Sequence, residues 1–122
     1  MSSSLLLFMR YNVVFIAPQE NIMYVSIRRY EGVPAENIPQ IQRLVQQGFV
    51  PLISQAEGFV AFYAVDAGEG VIASISIFDT EQGVMDSNGL AADWVRENLA
   101  HLIPNPPQIT DGPILFKYPK EA

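Results

Sequence analysis

The sequence predicts an α+β fold: two helices laid on one face of a four-stranded antiparallel sheet. Three observations predict it. The chain has 122 residues, the usual size of one domain with one core. Its apolar spacing switches between a strand period and a helix period in the order strand, helix, strand, strand, helix, strand. A polar, Gly-rich turn, Asp66-Ala67-Gly68-Glu69-Gly70, separates two apolar runs and reads as a β-hairpin.

Residues 23–30 (MYVSIRRY) are rich in β-branched and aromatic types and end at Glu31-Gly32, which predicts the first strand. From about Pro34 to Gln55, apolar residues at Ile38, Ile41, Leu44, Val45, Phe49, Leu52 and Ile53 keep one helix face apolar. Pro39 suits a first turn, where its missing N–H costs nothing. Pro51 cannot bond to the carbonyl of Gln47 and crowds it, so a kink or break is expected near Gly48. Gly58 releases the chain into a strand from Phe59 to Asp66, and the return strand is Val71 to Phe78. Asp79 or Thr80 can cap the second helix, with Glu81 in its first turn. Gly83 and Gly89 predict a loose or bent start, and Pro104, Pro106 and Pro107 end the helix after about His101. A last strand is expected near Ile114 to Tyr118. This order is the split βαβ, or ferredoxin-like, arrangement.

Residues 1–22 read as an N-terminal extension, 23–118 as the domain and 119–122 as a C-terminal tail. Leu5 to Ala17 is apolar apart from Arg10, Tyr11 and Asn12. That is shorter than the roughly 20 apolar residues of a membrane span. It also lacks the basic lead and cleavage pattern of a signal peptide. The alternative is an added strand or a membrane-touching arm.

Composition excludes several classes. Hydrophobic residues make up 49% and charged residues 16%, too apolar for a disordered chain. Net charge is −6, and no basic cluster offsets it, which argues against nucleic acid as a partner. Cysteine is absent, which removes disulfides, thiolate nucleophiles and Cys-bound metals and fits a cytoplasmic location. No metal-ligand spacing, phosphate loop or nucleophile elbow is present, so neither a metal nor a cofactor is expected.

One helical layer covers one sheet face, and the other should then be polar. Instead Phe59, Ala61, Tyr63 and Val65 share one face of the second strand, while Val60, Phe62 and Ala64 share the other. In the third, Val71, Ala73, Ile75 and Ile77 oppose Ile72, Ser74, Ser76 and Phe78. In the last, Ile114, Phe116 and Tyr118 oppose Leu115 and Lys117. An apolar face of that breadth marks an interface, and the economical cover is a second copy in a two-fold homodimer. The alternative cover is residues 1–22.

The element order, the hairpin and the Glu57-Gly58-Phe59 entry into the second strand resemble the antibiotic-biosynthesis-monooxygenase-like family over residues 23–118. The resemblance implies a dimeric α+β barrel, paired sheet to sheet, with a small cavity between sheet and helices in each copy. Such families include cofactor-free oxygenases of aromatic substrates, haem-degrading oxygenases, isomerases and members without known activity, so membership alone does not choose a reaction. The haem-degrading branch uses a Trp, a His and an Asn from the first strand. Here that strand has no Asn and the Trp–His spacing differs, so the haem site is not carried over.

Four residues are candidates for a site. Trp94 and His101, the single Trp and single His, fall roughly 20° apart around a continuous helix, at one margin of the stripe Leu90, Ala91, Val95, Leu99 and Leu102. The pair could line a cleft, with His101 as a general base or as a ligand to an iron. Alternatively Trp94 packs at the stripe edge and His101 caps the helix. Of Arg28 and Arg29, alternation turns one inward. Arg28 could hold an anionic ligand, pair with Glu31 or Asp79, or sit at the dimer rim. Tyr63, like Ser74 and Ser76, offers a polar handle that could orient a ligand or bond across the dimer. Two functions follow: a cofactor-independent, monooxygenase-like oxidoreductase acting on a small apolar or aromatic compound, or a non-catalytic dimeric ligand-binding or stress-associated module.

Overall fold

The computed structural model describes residues 22–120. All but the last residue of the proposed N-terminal extension therefore lie outside the described residues. The first strand, β1, is Tyr24–Tyr30. A 3₁₀ turn, Ala35–Asn37, leads into α1, Ile38–Leu44. A π-turn, Val45–Phe49, joins it to α2, Val50–Ile53. The hairpin strands are β2, Phe59–Gly68, and β3, Val71–Phe78. Helix α3 is Glu81–Asn98, and β4 is Gln108–Pro113. The strands pair in the order β2-β3-β1-β4 with every neighbour antiparallel. This is the ferredoxin-like order expected.

The kink or break expected near Gly48 takes the form of this π-turn, and the helix resumes through Pro51. The chain widens by one residue per turn ahead of it, and Val50 N–H donates to the carbonyl of Val45, five residues back. The π-turn absorbs the donor that proline lacks and lets α2 continue. The second helix departs from expectation. Thr80 is its cap, Oγ1 accepting from Gly83 N–H at 3.0 Å, and α3 is unbroken from its first turn. A Cβ at Gly83 would lie 2.7 Å from the Phe78 ring, so this glycine admits the aromatic core rather than loosening the helix. The helix ends at Asn98, short of His101, in a turn where Leu102 and Ile103 both donate to Leu99 O.

The last strand is a correction. Pairing with β1 runs from Arg29↔Gln108 to Tyr24↔Pro113, and Ile114 N–H donates to Met23 O just beyond it, at 2.8 Å. The pairing strand is thus polar, as edge strands commonly are. The apolar run read as a strand lies outside it, with Leu115, Phe116 and Tyr118 91%, 81% and 90% exposed. Its alternation mimics a strand, but among the described residues no strand is formed after Pro113.

Register decides the faces. Ser26↔Ser76, Arg28↔Ser74 and Tyr30↔Ile72 point to the helices, as do Phe62 and Ala64 opposite Ser76 and Ser74. Val25↔Ile77, Ile27↔Ile75 and Tyr63↔Ile75 share the open face. A register shift between Phe59 and Ala61 turns Phe59 to the helix side, where it meets Phe78 edge-on at 5.8 Å. The expectation that Phe59 shares the face of Tyr63 is therefore corrected by a bulge, which swaps sides by inserting one residue. The hairpin closes on Glu69 and Gly70, both with positive φ, 55° and 79°, as a type I′ turn requires.

The core has two buried clusters. One holds Tyr30, Val33, Ile41, Leu99, Leu102 and Ile103, and the other Phe49, Ile53, Phe78, Val84 and Ala91. Val45 and Trp94 pack against both. Among the described residues, no helix is long and apolar enough to cross a membrane.

Candidate functional site

Between the sheet and the two helices lies a cavity of about 410 Å³, within the size range of small-molecule sites. The π-turn builds one wall. It carries Val45 and Phe49 inward, and Gly48 lets the Trp94 indole approach so closely that a Cβ there would sit 2.9 Å from Cζ2. Trp94, from α3, tilts against Phe49 at 5.5 Å, and Phe49 meets Phe62 of β2 edge-on at 5.6 Å. These three aromatics make the apolar side, while exposed Gln42, Gln46 and Asp66 stand at the rim.

Arg28, Tyr30 and Ser74 supply the polar side of the wall. Arg28 is only 2% exposed. Its Nη1 donates to Asn88 Oδ1 at 2.7 Å and its Nη2 to Ser76 Oγ at 3.0 Å. Asn88 Oδ1 also accepts from Ser26 Oγ at 2.7 Å, and its Nδ2 donates to Asp111 Oδ2 at 2.7 Å. Arginine only donates and a carboxylate only accepts, so these partners force the orientation of the amide. The expected ion pair with Glu31 belongs to outward-facing Arg29 instead. Among the described residues, no carboxylate lies within 4.0 Å of the Arg28 guanidinium. Burial lowers the pKa of Arg28, and the neighbouring Tyr30 and Asp111 oppose that shift. Burial likewise raises the Tyr30 phenol, with Arg28 opposing. Both directions have one cause: a low-dielectric site disfavours the charged form.

Of the four candidates, the cavity brings together Trp94 and Arg28. Tyr63 is on the other side of the sheet, 57% exposed on the open face. His101 is exposed in the turn after α3 and is not part of the cavity wall. The angular relation to Trp94 fails because the helix ends before His101. Sequence reasoning missed Asn88 and Asp111 altogether, and saw Ser76 only as a polar handle. Asn88 sits in the helix with Ser87 and Asp86, where nothing local distinguishes it from a solvated residue. Among the described residues, no group of three His, Asp or Glu side chains could hold a metal.

A ferredoxin-like sheet with a half-open, mainly apolar hollow under its helices makes a small α+β domain, and solved structures share the fold. No protein-family model matches the sequence, and no curated protein matches it significantly. A protein of unknown function from Nitrosomonas europaea superposes with a TM-score of 0.67 at 21% identity, over 81% of this chain and 95% of that one. A monooxygenase from Streptomyces coelicolor, in complex with the ligand Nanaomycin D, gives 0.61 at 17% identity, over 80% and 91%. The heme-degrader MhuD from Mycobacterium tuberculosis, with two hemes bound in its active site, gives 0.59 at 16% identity, over 77% and 97%. The same fold is found in putative antibiotic biosynthesis monooxygenases from Nitrosomonas europaea and Bordetella bronchiseptica.

Proposed function

We propose that the chain is a homodimeric, cytoplasmic protein whose cavity binds a small aromatic compound and oxygenates it without a cofactor. The observation that carries this reading is the cavity itself: about 410 Å³, aromatic on one side, with a buried guanidinium on the other. A dihydroxyaromatic can supply its own electrons. Its anion reduces dioxygen, one oxygen atom enters the ring and the other leaves as water, and the substrate gives up four electrons to become a hydroxyquinone. What the residues contribute is positional and electrostatic. Phe49, Phe62 and Trp94 stack the ring and keep water away, while Arg28 stabilises the charge on the substrate oxygen. The likeness to a monooxygenase crystallised with Nanaomycin D supports the substrate class.

Oxygen uptake on 1,4-dihydroxynaphthalene tests the reading. Uptake should exceed the protein-free rate and fall at least tenfold in Trp94→Ala, while His101→Ala should retain it. Uptake in the unmodified protein no faster than without protein would refute the oxygenase. The second reading, a dimeric binding module without turnover, draws on the cavity wall. Its ionisable groups are Arg28, Tyr30 and Asp66, and the buried Tyr30 phenol has a raised pKa, which suits it poorly as a base near neutral pH.

The homodimer rests on the open face. Val25, Ile27, Tyr63, Val65, Ile75 and Ile77 present a broad apolar surface, and Leu115, Phe116 and Tyr118 extend nearby with their side chains exposed. A standard interface of about 1,600 Å², at about 25 cal/mol per Å² of apolar area, exceeds the cost of association at micromolar concentration.

A further inference from the structure

The arginine in the cavity wall is unusual in its company. Buried guanidinium groups are normally matched by a carboxylate. Arg28, at 2% exposure, has only neutral hydrogen-bond acceptors in Asn88 Oδ1 and Ser76 Oγ, with the Tyr30 phenol beside it. The nearest acid that acts on it, Asp111, is one residue removed, reached through the Asn88 amide. Asp111 faces a second hollow of about 280 Å³ between α3 and β4, so the chain Arg28–Asn88–Asp111 spans from one hollow to the other. Asn88 transmits orientation along it without delivering charge. Its amide is pinned by Asp111 on one side and fixes the guanidinium on the other.

We propose that the cavity selects a ligand carrying one anionic oxygen group on an apolar ring, a carboxylate, phenolate or enolate, and that Asn88 is the positioning residue that leaves the charge of Arg28 unneutralised for it. The inference rests on the reading of the cavity as a ligand site and adds the charge of the ligand. The ring packs on Phe49, Phe62 and Trp94. The anionic oxygen meets Arg28 and Ser74, which share one rung of the β1–β3 ladder. Inside a low-dielectric hollow such a charge-assisted contact is stronger than in water. A neutral ring of the same shape fills the same space but leaves the cation unmatched.

Isosteric probes separate charge from shape. The full chain is titrated calorimetrically with 2-naphthoate and with 2-naphthamide. The unmodified protein should bind the naphthoate at least tenfold more tightly. In Arg28→Met that ratio should fall to near one. Asn88→Asp, combined with Asp111→Asn so that the bond between the two positions is kept, is the sharper variant, because it keeps Arg28 and nearly the same shape but places a carboxylate against the guanidinium. It too should bring the ratio to near one, whereas a purely structural Asn88 would lower both affinities together and preserve the ratio. Circular dichroism confirms that each variant is folded, and the double variant decides the matter if Arg28→Met is not. Equal, measurable binding of the two probes by the unmodified protein overturns the inference and leaves the cavity reading standing. Binding of neither overturns both. A tenfold preference that survives in either folded variant overturns the assignment to Arg28 and Asn88.

Discussion

At the scale of single residues, the cavity depends on a missing side chain. Gly48 lies in the π-turn, and its absent Cβ is the space into which the Trp94 indole leans. Gly48→Ala should push the ring toward the cavity or out of contact with Phe49. Overpacking of this kind costs about 1–3 kcal/mol, so thermal unfolding should shift down while the protein stays folded. Trp94 is the single tryptophan, so its fluorescence maximum reports the movement directly. An unchanged maximum with unchanged stability would mean that the indole does not need the space. Alternation in β1 already placed one of the neighbouring arginines inward. Why that arginine lacks a carboxylate is a matter of which residues from other elements arrive beside it, and here those are the amide of α3 and the hydroxyl of β3.

At the scale of elements, β2 offers a clean contrast, because neighbouring residues face opposite ways. Phe62 enters the core against Phe49, and Tyr63 is 57% exposed on the open face. Phe62 is partly buried, so Phe62→Lys loses up to the roughly 3–5 kcal/mol of a large-to-small core change and sets a charge against Phe49 and Trp94, against a total stability of about 5–15 kcal/mol. It should abolish cooperative unfolding or leave the protein insoluble. Tyr63→Lys should keep the secondary structure, seen by circular dichroism, and halve the mass seen by light scattering. If both variants behave alike, the assignment of faces is wrong. Sequence periodicity paired these residues correctly as opposites and could not say which was which. The deciding fact is the register with β3, where Phe62 meets Ser76 and Tyr63 meets Ile75.

At the scale of the whole molecule, the sheet and both helices are complete between Tyr24 and Pro113. A protein lacking residues 1–22 should therefore fold cooperatively and show the mass of the proposed dimer by light scattering. A compact monomer, or loss of cooperative unfolding, would return the extension to the core or to the open face as its cover. The three apolar side chains after Ile114 would be solvated in a monomer, and the proposed second copy is their most economical cover.

The sequence by itself determined the order of the six principal elements, the hairpin, the proline-perturbed first helix and an apolar character on both sides of the sheet. These properties are local: they depend on spacings of two to four residues and on the backbone demands of Gly and Pro. It also placed Trp94 and Arg28 among the residues to watch. Tertiary structure decided the rest. It put β4 at the polar Gln108–Pro113 rather than the apolar run that follows, because edge pairing is chosen by register with β1 and not by hydrophobic alternation. It turned Phe59 inward through a bulge and ended α3 before His101 could join the cavity. It also gathered Ser26, Arg28, Ser76, Asn88 and Asp111 from four elements into one hydrogen-bonded set. No local pattern encodes such a set, since directly bonded members lie as far as 62 positions apart and each alone reads as an ordinary polar residue. Only the packing of α3 across β1 and β4 makes them neighbours.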